Sequence, residues 1–234
     1  MSVVITGANR GLGLELVRTY LEAGEIVHAA CRRPEEATAL VELGPASITA
    51  LDVADAESIE RFGAAVCAAS PSIDLLVNNA GLNATAFGAD RAHVGPFEID
   101  PEHFMGQVRA NAVGPMLVTR ALLESLKADA GAMVLNISSQ LGAMTVGGAA
   151  GNDIGYNASK AALNMVTVRT ANLLASDGVS VVAMHPGWLR TDMGGAQAAL
   201  DPAETADVIR ATLSTLGPDA SGYFIRWDGT AHDW

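Results

Sequence analysis

Val3-Val4-Ile5-Thr6-Gly7-Ala8-Asn9-Arg10-Gly11-Leu12-Gly13 is the stretch that decides the fold. A short β-branched run ends in a turn holding three glycines, and an amphipathic stretch, residues 12–22, follows at once. Gly7 and Gly11 suit a tight turn with close backbone approach, and Gly13 lets a helix lie against a strand. A helix opening at such a turn offers unpaired N–H groups and the positive end of its dipole to a pyrophosphate. The spacing is Gly-x-x-x-Gly-x-Gly, not the Gly-x-Gly-x-x-Gly of longer dinucleotide domains, so a plain structural turn is the competing reading. The place of the turn, after the first strand and before a helix, favours the phosphate site.

Outward from there the same alternation repeats. Apolar runs at residues 26–31, 47–51, 75–78, 133–138, 179–184 and 223–225 join residues 3–6 as strands. Their near-continuous apolarity marks a parallel sheet covered on both faces. Helical periodicity at residues 35–43, 56–68, 101–126, 156–174 and 202–213 separates them, with Asp55 and Asp100 as start signals. This pattern predicts an α/β fold, a single doubly wound Rossmann-type domain over residues 1–234, with a seven-stranded parallel sheet and helices on both faces. No repeat, low-complexity run or linker divides the chain. At 234 residues it can bury roughly 70–75% of its unfolded surface in one core.

Composition closes several doors. Half the residues are hydrophobic and 17% charged, which excludes disorder. No apolar run reaches the ~18 residues of a spanning helix, and residues 1–7, without a basic start or a long apolar run, are not expected to act as a secretory signal. Lys+Arg is 14 against Asp+Glu 26, a net charge of −12. Such a surface repels nucleic acid and anionic headgroups, so neither is expected as a partner. Two cysteines, Cys31 and Cys67, make no disulfide framework and have no metal-ligand spacing. A cytoplasmic protein without a metal is expected. Two lysines, Lys127 and Lys160, against twelve arginines draw attention to where Lys160 stands.

Doubly wound sheets bind ligands beyond the carboxyl ends of their strands, and the informative residues fall there. The second strand ends in Cys31-Arg32-Arg33, where an NAD site would place an acid for the ribose hydroxyls. Arg32, with Arg10 in the glycine turn, is suited to a 2′-phosphate and hence to NADP(H); a solvated basic pair is the plainer alternative. Asp52-Val53 follows the third strand, able to meet an adenine or simply to cap a helix. Asn78-Asn79-Ala80-Gly81 follows the fourth: its amides can tie strands together, and Gly81 admits a ribose. Ser138-Ser139 follows the fifth, and Tyr156 and Lys160, four apart, share one helix face. A phenol titrates near 10, and a neighbouring ammonium favours the phenolate. After the sixth strand, Pro186-Gly187 turns the chain and Thr191 can donate to a phosphate or carboxamide. His185 reads as a packing histidine rather than a base.

Thr6-Gly-x-x-x-Gly-x-Gly13, Asn78-Asn-Ala-Gly81, Asn111, Ser139, Tyr156-x-x-x-Lys160 and Pro186-Gly187, in this order, resemble the short-chain dehydrogenase/reductase (SDR) family over essentially the whole chain. Within it the chain looks most like the small carbonyl reductases related to sniffer and the bacterial C-factor proteins. The resemblance implies catalytic roles for Asn111, Ser139, Tyr156 and Lys160. Tyr156 would protonate the carbonyl oxygen as hydride arrives, Ser139 would polarise it, Lys160 would lower the Tyr156 pKa and hold a ribose, and Asn111 would support a water chain. Ser139 is preferred to Ser138 because the family's serine is usually the second of such a pair, and alternation lets only one face the site. For the cofactor the resemblance implies Gly7, Asn9, Arg10, Gly11, Leu12, Arg32, Asp52, Val53, Asn79, Ala80, Gly81, Tyr156, Lys160, Pro186, Gly187 and Thr191. The span from Ser139 to Tyr156 exceeds the family's usual dozen or so residues, which makes residues 140–155 part of the substrate rim.

The expected function is NADPH-dependent reduction of a small-molecule aldehyde or ketone, with an apolar or aromatic substrate read from Phe87, Phe97, Met144, Trp188 and Met193. An NAD-dependent alcohol dehydrogenase of the same family, and a dinucleotide-binding signalling protein, are the alternatives. A homo-oligomer, dimer or tetramer, is the association the resemblance implies.

Overall fold

A computed structural model of the chain describes residues 1–91, 94–128, 131–145 and 153–234. Seven strands, β1 (Ser2–Thr6), β2 (Ile26–Cys31), β3 (Ser47–Ala50), β4 (Leu75–Asn78), β5 (Met133–Ile137), β6 (Ser180–His185) and β7 (Phe224–Arg226), form one sheet in the order β3-β2-β1-β4-β5-β6-β7. Every pairing is parallel. Val3 pairs with Val27 on one side and Leu75 on the other, so the strand order reverses between β1 and β4. That reversal opens a crevice at their carboxyl ends, where open α/β sheets take their ligands.

Alternation along the strands divides the core. Val3 and Ile5 pack on Leu16, Val17 and Tyr20 of α1 (Gly11–Glu22), Leu40 of α2 (Thr38–Leu43) and Ile209 and Leu213 of α8 (Pro202–Thr215). Val4, Leu76 and Val134 face the other way, onto Ile59, Phe62 and Val66 of α3 (Ala56–Ala69), Val118 of α5 (Gly114–Ala121), and Ala171 and Leu174 of α7 (Ile154–Leu174). Helices thus cover both faces, as the apolar strands require. A buried polar ladder crosses the sheet: Asn78 Nδ2 donates to Asn136 Oδ1 (2.9 Å), and Asn136 Nδ2 to Thr167 Oγ1 (2.9 Å). Among the described residues no helix is long and apolar enough to cross a membrane.

Asp55 and Asp100 cap α3 and α4 (Pro101–Val108), accepting from the backbone N–H of Glu57 (3.1 Å) and Glu102 (2.7 Å). Strand and helix ends otherwise move by a residue or two from the sequence reading. Two segments differ more. Residues 35–43 divide into a single 3₁₀ turn and α2, because Ala37 (φ −90°, ψ 55°) breaks the run. The expected helix over 101–126 is α4, a wide π-helical turn at Arg109–Val113, α5, and a short α6 (Leu123–Lys127). Pro115 is the physical reason, since it has no N–H to give the carbonyl of Asn111 four residues earlier. Such turns recur at functional sites, and this one holds Asn111.

Candidate functional site

The glycine turn is a cradle shaped by backbone. Gly7 (φ 64°) and Gly11 (φ 52°) hold left-handed conformations that other residues rarely adopt. A Cβ at Gly13 would lie 2.3 Å from the Gly7 carbonyl oxygen, so α1 sits hard against the turn. Thr6 Oγ1 accepts from the N–H groups of Asn79 (3.1 Å) and Ala80 (3.0 Å), and Asn79 Nδ2 donates to the carbonyls of Thr6 (3.0 Å) and Gly7 (3.1 Å). The Asn79 side chain is therefore committed to holding β1 and β4 together. Leu12 is buried in the core, so only its backbone faces the cradle, while Asn9 is exposed. The α1 N-terminus has no side-chain cap, whereas α3, α4, α7 and α8 are each capped by an aspartate. Uncapped N–H groups over a turn opened by Gly7, Gly11 and Gly13 fit the pyrophosphate of a dinucleotide.

The arginines are held differently from one another. Arg10 Nη1 donates to Asp192 Oδ2 (2.9 Å), both side chains largely exposed, and Arg33 Nη1 donates to both carboxylate oxygens of Glu36 at 2.8 Å. Arg32 has no carboxylate partner among the described residues. Asp52 Oδ1 accepts from Ala54 N (2.9 Å) and shapes a turn, while Asp55 is the cap of α3; the Val53 carbonyl lies where a Cβ on Gly114 would fall, at 2.5 Å. Beyond β6, Gly187 (φ 86°) follows Pro186, and the loop returns over the cradle until the Thr191 methyl lies 3.2 Å from where a Gly11 Cβ would be. Thr191 Oγ1 accepts from Gly194 N (3.2 Å). His185 stacks edge-on to Trp227 and His232, and burial pulls its pKa down to about 4, which makes it a neutral packing group.

Across the crevice the reactive side chains converge. Ser138 turns away, its Oγ donating to Asn164 Oδ1 (2.6 Å), while Ser139 lies beside the Tyr156 phenol and its Oγ accepts from Leu141 N (3.1 Å). Lys160 Nζ is 5.6 Å from the Tyr156 ring centroid, donates to the Ile137 carbonyl (2.7 Å), and would stand 3.6 Å from a Cβ on Gly81. Asn111 Nδ2 donates to Leu82 O (2.7 Å) and Ser159 Oγ (2.9 Å), and its Oδ1 accepts from Leu82 N (2.8 Å). Both donors and one acceptor site of its amide thus tie the backbone just after Gly81 to Ser159 on α7.

Burial drives the Tyr156 phenol pKa up; Ser139 and the Arg91 guanidinium draw it down, and Asp153 pushes it up. The net direction is upward because desolvation outweighs its polar neighbours. Burial likewise lowers Lys160 from 10.5 to about 8.

Sequence reasoning missed Asp153, which caps α7 three residues before Tyr156, and Gln107 and Arg91, which meet it. An aspartate ahead of a helical pattern was the available signal for the first. On the rim, Phe97, Met144, Trp188 and Met193 are exposed, whereas Phe87 stacks on His103 at 4.8 Å and is committed to α4. The glycine-rich run at residues 147–151 lies outside the described residues.

Residues 1–200 match the short chain dehydrogenase family. C-signal of Myxococcus xanthus is 33% identical over 181 residues, 75% of this chain and 100% of that protein. Carbonyl reductase Sniffer of D. melanogaster superposes with a TM-score of 0.91 at 30% identity, over 100% of this chain and 99% of that one. The NADPH-bound carbonyl reductase from chicken fatty liver gives 0.90 at 31% identity, over 100% and 98%. With the order of its strands, its glycine cradle and its Ser139/Tyr156/Lys160 cluster, the chain belongs to the short-chain dehydrogenase family of oxidoreductases.

Proposed function

We propose that the chain reduces an aldehyde or ketone to an alcohol with NADPH. The observation that carries this is the meeting of Ser139, Tyr156 and Lys160 against Gly81, at the carboxyl ends of β4 and β5 and across from the glycine cradle. When bound there, the nicotinamide supplies the hydride. Tyr156, kept protonated by burial, holds the proton that goes to the carbonyl oxygen, so hydride and proton together give the alcohol. The Ser139 hydroxyl orients and polarises the same oxygen. Lys160, with donors to spare beyond the Ile137 carbonyl, is placed to hold a ribose hydroxyl near Gly81. Arg32 supports the choice of NADPH, as a cation at the end of β2 with no carboxylate partner among the described residues. Exposed Phe97, Met144, Trp188 and Met193 support an apolar or aromatic carbonyl compound. Exposed Met105 and Met116 on α4 and α5, and Met165 and Leu173 on α7, support a second copy as their cover, which sedimentation of the purified protein would read as a dimer.

Tyr156→Phe tests the chemistry. Oxidation of NADPH against a panel of aldehydes, ketones and quinones should be lost, with NADPH affinity within a few-fold of the native protein. Undiminished turnover would remove Tyr156 as the acid. The likeness to C-signal supports a second reading, a signalling role independent of reduction, and such a role would survive the same substitution in cells.

A further inference from the structure

Resting on the assignment of Tyr156 as the acid, the geometry points to Asp153, braced by Gln107 and flanked by Arg91, as a positioning residue that sets where the Tyr156 side chain stands and what net charge it faces. Asp153 is 1% exposed, and its carboxylate gathers three segments around one point. Oδ1 accepts from Tyr156 N (3.1 Å) and from Gln107 Nε2 (3.2 Å) on α4. Oδ2 accepts from Ala84 N (2.9 Å), in the turn that follows Gly81, and faces Arg91 Nε at 3.9 Å. Gln107 is fully buried and one helical turn before Asn111, so the same helix face grips α7 twice, at Asp153 and at Ser159. Gly155 makes this approach possible, because a Cβ there would fall 2.4 Å from Gln107 Nε2.

The cluster does more than cap a helix, since the cap needs only the Tyr156 N–H. The bonds to Ala84 and Gln107 couple the backbone beyond the cofactor turn to the start of α7, so the phenol and Gly81 cannot shift independently. Arg91 completes the charge balance, its Cζ 6.0 Å from the Tyr156 ring centroid. The charged or hydroxyl groups that Tyr156 meets come from each neighbouring element: Ser139 after β5, Lys160 and Asp153 on α7 and its cap, and Arg91 in the loop beyond Ala84. The carboxylate disfavours the phenolate and the guanidinium favours it. Removing one leaves the other unopposed, so the two substitutions must move Tyr156 in opposite directions.

The test uses Asp153→Asn, Arg91→Gln and the double variant, each labelled with ¹³C at the tyrosine Cζ, with the Tyr156 signal assigned by Tyr156→Phe. Asparagine retains capping ability, and Arg91 is 37% exposed, so thermal melting should show folded proteins. The Tyr156 midpoint is expected to fall by about half a unit to one unit in Asp153→Asn and to rise by a similar amount in Arg91→Gln. The double variant should return towards the native midpoint. kcat should fall in Asp153→Asn by about 10-fold or more, with NADPH affinity nearly unchanged. Unmoved midpoints, or shifts of the same sign, overturn the inference. If Asp153→Asn fails to fold, the shift in Arg91→Gln decides alone. Activity surviving in Tyr156→Phe would defeat the catalytic assignment, while the midpoints still judge the positioning.

Discussion

Replacing Lys160 by methionine separates what its ammonium offers chemistry from what it does to the fold. Lys160 is 4% exposed, and burial lowers its pKa from 10.5 to about 8. Below pH 8 the native protein therefore holds a buried charge that the unfolded chain keeps in water. At roughly 1.4 kcal/mol per decade, the gap between the two pKa values costs about 3 kcal/mol of stability at pH 7. Between pH 8 and 10.5 the unfolded state binds more protons than the native one, so stability rises with pH across that window. About 2 kcal/mol of the loss should be recovered by pH 9.5. Methionine fills similar space without charge but strips the Ile137 carbonyl of its 2.7 Å donor, which costs about 1–3 kcal/mol.

Lys160→Met should therefore match or exceed native stability at pH 7, by up to about 2 kcal/mol, or several degrees in melting temperature. Its advantage should shrink by about 2 kcal/mol between pH 7 and 9.5. Urea unfolding followed by circular dichroism at several pH values measures both. The one other lysine, Lys127, is partly exposed and pairs with Asp177 at 2.9 Å. Cys31, whose pKa burial raises, and the Met1 ammonium, raised by its bond to Glu25, contribute with opposite sign but equally to both proteins. A stability difference that does not change with pH would refute the buried charge. A variant several kcal/mol less stable at pH 7 would show that the ammonium holds the fold together.

Arg32→Ala should weaken NADPH by at least about 10-fold and leave NADH nearly unchanged; equal losses in fluorescence titrations would remove Arg32 from the 2′-phosphate. Gly13→Ala drives a methyl to 2.3 Å from the Gly7 carbonyl, so it should cost about 1–3 kcal/mol and weaken both dinucleotides, and native affinity for either would contradict the close packing of α1 on the cradle. Asn136→Ala breaks the buried ladder to Asn78 and Thr167, with an expected loss of about 1–3 kcal/mol in urea unfolding and no change in dinucleotide affinity.

The strands were legible because a sheet covered on both faces demands uninterrupted apolar runs, and residues 26–31 and 75–78 match β2 and β4 end to end. Asp55 and Asp100 announced α3 and α4 through local hydrogen bonds that any reader of the sequence can anticipate. The π-helical turn at Arg109–Val113 was not legible, since the amphipathic pattern runs through it and Pro115 alone hints at the break. The roles of single polar groups were harder still. Lys160 stands four residues from Tyr156, as spacing requires, yet whether burial or the ammonium governs the phenol depends on how much water the assembled crevice excludes. Arg10 reads as a phosphate ligand from its place in the glycine turn, but its pairing with Asp192, 182 residues away, has no local signal. Asp153 collects Gln107 and Ala84 from 46 and 69 residues upstream. Local rules could announce its capping of α7, but not those two partners.

These observations divide the crevice into a part the sheet determines and a part it leaves free. Ser139 follows β5 directly, Gly81 lies just past β4, and Lys160 bonds the last residue of β5, so the strand ends fix the frame around Tyr156 in which the proposed reaction would take place. The proposed boundaries of the substrate would instead be drawn by loops, through the exposed Phe97, Met144, Trp188 and Met193, none of which lies on a strand. Two of the long-range contacts between those loops and the frame differ in kind: Arg10–Asp192 beside the cradle and Asp153 at the start of α7. The first joins largely exposed side chains and is worth little on its own; the second is buried and bonded to three segments. Substitutions on the Asp192 side should therefore alter which carbonyl compounds enter while sparing the rate of proton transfer, and substitutions around Asp153 should do the reverse. A carbonyl panel measured with Asp192→Ala and Asp153→Asn, with KM and kcat resolved for each compound, tests this division. It fails if both variants change the same parameter in the same way.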